Sequence, residues 1–211
     1  MTRIRKITVG VWEVNCYTLS DEYGSCILID PGEAPATIDE KLVIPNRHRP
    51  IAIIATHGHL DHIGGAKYFT EKYAAPLYVH ERDIELAKNA TFWANVFGTP
   101  GITDPEKIER LCDGVMTIDK FFFEIIHTPG HTGGGICLYL KEMGVVFTGD
   151  SLFYRAVGRS DRPGLDAGGH YMLLESIRQR LFGLPDKTIV FPGHGRITTI
   201  GYERQHNPFL T

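Results

Sequence analysis

The 211-residue sequence lacks most of the features that would exclude a folded, soluble enzyme. Its four cysteines, Cys16, Cys26, Cys112 and Cys137, form no CxxC pair, which argues against a thiolate zinc knuckle or a thioredoxin-like redox motif. Cys16, Cys26 and Cys137 lie in apolar runs, where a free thiol behaves as a small hydrophobe, so the cysteines are expected to be reduced and structural. No stretch approaches the roughly 18 consecutive apolar residues of a membrane span. The segment Met1-Thr2-Arg3-Ile4-Arg5-Lys6 is charged, yet it leads into an alternating strand rather than the apolar centre of a signal peptide. No basic run marks a phosphate-tracking surface, and the formal net charge is −3. These absences set the expectation of a cytoplasmic protein with neither a membrane nor a nucleic-acid partner; they fix no oligomeric state. Hydrophobic residues at 43% and charged residues at 22% are ordinary for a globular chain, and the length suits a single domain over residues 1-211.

What the sequence does contain is concentrated in Thr56-His57-Gly58-His59-Leu60-Asp61-His62. The preceding run Ile51-Ala52-Ile53-Ile54-Ala55 is short and rich in β-branched residues, as a buried strand is. If the chain stays extended through Gly58, the period of two points His57 and His59 to one side. The turn that follows lets Asp61 and His62 face a second point nearby. Ligands packed this densely suit transition metals, and two sites rather than one. Three later segments repeat the scheme of strand, glycine, ligand. Thr128-Pro129-Gly130-His131 follows Phe121 to Ile126, Gly149-Asp150 follows Val145-Val146-Phe147, and Gly193-His194 follows Ile189-Val190-Phe191.

An HxHxDH element followed in order by His, Asp and His resembles the pattern of the metallo-β-lactamase superfamily, and within it the glyoxalase II group of thioester hydrolases. The resemblance runs from about Asn15 to Leu210. It implies that His57, His59 and His131 bind one metal, that Asp61, His62 and His194 bind the other, and that Asp150 bridges both. It also implies that Asp61 and Asp150 are the carboxylates of the catalytic centre, and that the two halves of the fold are related by symmetry. The reaction implied is hydrolysis of a small thioester such as S-lactoylglutathione by metal-activated water. An alternative from the same superfamily is a mononuclear iron persulfide dioxygenase acting on glutathione persulfide, with His57, His131 and Asp150 as its ligands. A metal-binding scaffold without catalysis is a third possibility, disfavoured by metal positions open to exchangeable water. The lack of a basic run argues against the superfamily's nuclease branches. With Thr211 following soon after His194, no C-terminal helical glutathione-binding domain is expected.

Short strands are expected at residues 4–9, 16–19, 26–30, 77–79, 121–126, 136–140, 145–148 and 189–191, and helices near 36–44, 64–73, 81–88 and 169–181. Strands followed by helices, twice, give an α+β class, an αββα sandwich of two mixed sheets flanked by helices. Asp30, at a strand end before Pro31-Gly32, either joins the site or caps the helix after it. Residues 89-114 read as an irregular insertion that either lids the metals or packs Phe92, Trp93 and Phe97 beneath it at helical spacing.

Five imidazoles and two carboxylates without thiolate make a mixed N/O donor set for two divalent metal ions; zinc fits it, and iron or manganese can also occupy it. Such a pair leaves the pocket net positive and favours an anionic substrate. The loop after Asp150 supplies Tyr154, Arg155, Arg159 and Arg162, and Gly158-Arg159-Ser160-Asp161 resembles a loop of the glyoxalase II and persulfide dioxygenase groups. Arg159 is thus either a substrate contact or a brace to Asp161, while Arg155 and Arg162 are expected in solvent. Arg196 stands where many relatives have Pro and either pairs with a nearby carboxylate, contacts an anionic substrate group or lies in solvent. Tyr154, Arg159 and Arg196 are the candidate substrate-binding residues. His48, His80, His127, His170 and His206 lack ligand-rich neighbours and are expected to be ordinary histidines.

Overall fold

The computed structural model describes residues 2–160 and 169–211, and it divides into two compact units, Met1–Leu111 and Cys112–Thr211. The first is built on a six-stranded sheet of β1 (Arg3–Val9), β2 (Val14–Ser20), β3 (Ser25–Ile29), β4 (Arg49–Ile54), β5 (Leu77–His80) and β6 (Ile108–Leu111), in that order across the sheet. Pairing is antiparallel from β1 to β3 and parallel from β3 to β6. Parallel strands need crossovers, and these carry α1 (Pro35–Ile38), α2 (Leu60–Ile63), α3 (Ala66–Tyr73), α4 (Ile84–Ala87) and α5 (Ala90–Phe97). Strand β4 is buried from Ala52 to Ile54. As a central strand of a parallel sheet it reads as a continuous apolar run for that reason.

The second unit has the order β14 (Thr198–Thr199), β13 (Ile189–Pro192), β10 (Val145–Gly149), β9 (Ile136–Leu140), β8 (Phe121–His127) and β7 (Gly114–Ile118), parallel only between β10 and β13. A separate hairpin, β11 (Leu152–Phe153) with β12 (Ala156–Val157), follows β10, and the helices are α6 (Gly169–Ser176) and α7 (Ile200–His206). Each unit has its own apolar core. The first centres on Ile53, Phe69 and Leu77, the second on Val146, Leu173, Ile177 and Val190. Two mixed sheets flanked by helices are the content expected from the sequence.

Differences from the sequence reading have identifiable causes. The helix expected over 64–73 is α3, beginning at Ala66, and an unforeseen helical turn, α2, precedes it; between them Gly64 and Gly65 sit against other backbone, where a Cβ on Gly65 would lie 2.2 Å from the Pro31 carbonyl oxygen. Residues 89-114 are not irregular, since they hold α5 and β6, and the loop between is tied by Asp104 and Thr91 through bonds of 2.7 and 3.1 Å. Helical spacing there was real, but only Trp93 packs on the core, while Phe92 and Phe97 are 58% and 43% exposed. Helix α7 and strands β6 and β7 were not anticipated. All four cysteines are free; Cys16, Cys26 and Cys137 are buried, and burial pushes the Cys137 thiol up to about 11. Among the described residues no helix is long and apolar enough to cross a membrane.

The Gly65 contact predicts that Gly65→Ala forces the Pro31 turn to move and costs about 1–3 kcal/mol. A lowered denaturation midpoint in urea with an unchanged m-value checks this; an unchanged midpoint would show that the turn gives way freely.

Candidate metal centre

In the first unit, β4 ends at Ile54, the chain bends at Thr56 and His57, and an extended His59 (φ −70, ψ 147) leads into α2, which presents Asp61 and His62. His57 and His62 are buried. The alternation anticipated from the sequence is present: His57 Nε2 and His59 Nδ1 lie 2.9 Å apart, and the His57 and His62 rings are 4.1 Å apart. His62 Nε2 is 3.6 Å from Asp61 Oδ2.

Asp30 decides how His62 is presented. Its backbone is left-handed (φ 50), and its carboxylate accepts from the Thr56 N–H at 2.7 Å and the Thr56 hydroxyl at 2.8 Å, while Oδ2 lies 3.0 Å from His62 Nδ1. The carboxylate thus stands on the ring edge opposite Nε2, close to Nδ1 but without an aligned hydrogen bond to it. Asp30 caps no helix, because α1 begins after Ala34 without a side-chain cap. A second acid, Asp83, accepts from the Gly58 N–H at 2.9 Å and pins the loop between His57 and His59. Its role was missed; its only signal in sequence was an acid just beyond a strand end.

In the second unit the ligands again stand at strand ends. Gly130 (φ 136) takes the chain from β8 to His131 in a conformation that favours glycine, and a Cβ there would meet the Leu173 backbone at 2.3 Å. Asp150 follows β10 directly. One of its oxygens is 3.4 Å from His131 Nε2 and the other 3.5 Å from His194 Nε2, so a single carboxylate offers one oxygen to each histidine. His131 Nδ1 sits 2.5 Å from the Arg159 carbonyl, which fixes the proton on Nδ1 and bares Nε2. Gly158 makes this possible, since a Cβ there would lie 1.8 Å from the Asp150 carbonyl oxygen. The contribution of Arg159 on display is therefore its main chain, which sequence reasoning about its guanidinium did not foresee. Asp161 and Arg162 lie outside the described residues.

Tyr154, at the tip of the β11–β12 hairpin, stacks on Tyr202 of α7 at 5.3 Å, with the two phenol oxygens 2.9 Å apart. The bond from Tyr202, and then the nearby Arg196 guanidinium, hold the Tyr154 phenol below its usual range, while Tyr202 is raised. Arg155 is exposed, as expected. The histidines set aside from the sequence have local roles where these are visible: His127 Nε2 lies 2.8 Å from the Gly133 carbonyl, and His80 Nδ1 accepts from the Arg82 N–H.

In each cluster, electron-rich ring nitrogens and carboxylate oxygens face one another at 2.9 to 3.6 Å. A shared cation accounts for that arrangement, and oxygens and imidazoles without thiolate are the donors that zinc, iron or manganese take. The His/Asp clusters thus fit a dimetal centre in donor type and number.

Comparisons agree with this chemistry. Residues 9–194 match the family model of the metallo-beta-lactamase superfamily. The chain is 35% identical over 210 residues to hydroxyacylglutathione hydrolase GloC of Haemophilus influenzae, covering 98% of this chain and 97% of that one. The crystal structure of BLEG-1 B3 metallo-beta-lactamase is similar at TM-score 0.89 and 35% identity, over 99% of this chain and all of that one (100%). A structure of TTHA1623 in a di-iron-bound form is similar at TM-score 0.87 and 37% identity, over 98% and 100% of the two chains. On these matches the chain belongs to the metallo-beta-lactamase superfamily and is a metal-dependent hydrolase.

Proposed function

We propose that residues 1-211 act as one domain that cleaves a small thioester, S-lactoylglutathione being the type, with His57, His59 and His131 holding one metal, Asp61, His62 and His194 the other, and Asp150 bridging. The observation that carries the metal assignment is Asp150, whose two oxygens address two different histidines. When bound, a metal pair supplies activated water near neutral pH and polarises a carbonyl oxygen. The residues supply orientation. The Arg159 carbonyl holds His131 with Nε2 forward, and the Asp30 carboxylate stands behind His62 on its Nδ1 side. The thiolate of a thioester leaves without a strong general acid, so no protonated side chain is required beside the scissile bond. Similarity to the Haemophilus influenzae hydroxyacylglutathione hydrolase supports the thioester. Zinc is the metal proposed, and similarity to a di-iron form makes iron the competitor that metal analysis must distinguish.

Purified protein analysed for metal beside a thiol-release assay tests the reading. Two metals per chain with thiol release are expected, whereas one iron with oxygen consumption on glutathione persulfide would replace hydrolysis by the dioxygenase reaction.

Asp150→Ala is expected to lower metal content at both positions and reduce kcat/KM by well over the 10–100-fold typical of outer partners. Two metals retained at wild-type affinity would remove the bridge. Asp30→Asn keeps the shape but removes the negative charge 3.0 Å from His62 Nδ1. It is expected to weaken metal affinity about 10–100-fold in a competitive chelator titration. Unchanged affinity would leave Asp30 as a purely structural anchor of Thr56.

A further inference from the structure

The guanidinium of Arg196 lies 3.4 Å over the Tyr154 ring, and Tyr154 in turn stacks on Tyr202, whose ring meets His206 at 4.7 Å. Arginine stacked by its face keeps its N–H edge in the plane, directed away from the ring and available to a planar acceptor. Arg196 is exposed, and among the described residues no carboxylate lies within ion-pair distance of it. The obvious local acid is committed elsewhere. Glu203 is fully buried on α7 and accepts from the Thr198 hydroxyl at 2.6 Å, the Arg155 N–H at 2.8 Å and the Asn207 side-chain amide at 2.9 Å. Asn207 also donates to the Ala156 carbonyl at 3.1 Å. These bonds clamp the β11–β12 hairpin to α7, so the tyrosine platform under Arg196 is rigid rather than a chance side-chain contact. It is also close to the ligands: Arg196 is two residues from His194, Tyr154 four from Asp150, and the Phe153 ring is 6.1 Å from that of His194.

We propose that Arg196, stacked on the Tyr154–Tyr202 pair, is a specificity-determining anion clamp that selects thioesters bearing a carboxylate. This rests on the hydrolase reading and names its substrate class. The planar fork suits a carboxylate bidentately, and a guanidinium, having donors and no acceptor, cannot be a metal ligand. A preformed cation loses little freedom on binding, so the gain falls on substrate affinity. The carboxylate can sit on the acyl group or on the thiol.

Two substrate pairs separate these sources: a succinyl thioester of a neutral thiol against its methyl ester, and an acetyl thioester of 3-mercaptopropionate against that of its amide. In one pair the wild type is expected to favour the carboxylate about tenfold through KM, a difference of 1.4 kcal/mol. Arg196→Ala should erase that preference, and Arg196→Lys, a charge without the fork, should restore only part of it. Tyr154→Leu, which removes the platform and keeps the arginine, should erase it too, whereas Tyr154→Phe keeps it. No preference in either pair, or a preference that survives Arg196→Ala, overturns the clamp. If no thioester is cleaved at all, the hydrolase reading fails, and the clamp is then read by calorimetric titration with succinate at matched metal content. Binding that is lost in Arg196→Ala upholds it, and absence of binding to the wild type overturns it.

Discussion

Polar groups crowded together are the constraint on which this protein depends. The chain brings imidazole nitrogens and carboxylate oxygens within 2.9–3.6 Å of one another in both units, more densely than ordinary folding requires. Holding such groups together costs stability until a cation neutralises them. The surrounding structure therefore has to over-determine their positions. Strand ends do so in sequence terms, because a strand buried on both faces, such as β4, cannot slide without exposing its whole apolar set. Hydrogen bonds accepted by Asp30 from Thr56, by Asp83 from Gly58 and by the Arg159 carbonyl from His131 then fix the loop and the His131 ring.

Much of this was legible in the sequence because it is local. His57, His59, Asp61 and His62 occupy six positions, and period-two geometry sufficed to put the first two on one side. His131, Asp150 and His194 each follow an apolar run and a glycine, so their placement at strand ends needed no knowledge of the fold. What escaped was non-local. Asp30 reaches Thr56 across 26 residues and Glu203 reaches Arg155 across 48, and no periodicity encodes such pairings. Asp30 looked equally like a helix cap because Pro31-Gly32 follows it, and a cap and a ligand support have the same signature in sequence.

The missed elements have the same explanation. Strand β7, at the edge of its sheet, carries exposed Val115 and Thr117, so apolar alternation is lost where solvent replaces a neighbour. Helix α7 follows directly on the β-branched strand β14, Thr198–Thr199, and it is the Thr199 hydroxyl accepting from the Tyr202 N–H that caps the helix. That helix supplies Tyr202 and Glu203, and its C-cap is Asn207; these hold the hairpin after Asp150.

Because the central claim is that Asp150 ties two metals together, anomalous scattering from crystals of the metal-loaded protein tests it most directly. The account predicts two peaks about 3.5–4 Å apart, one adjoining each oxygen of Asp150. A single peak, or two peaks of which only one adjoins Asp150, would contradict it.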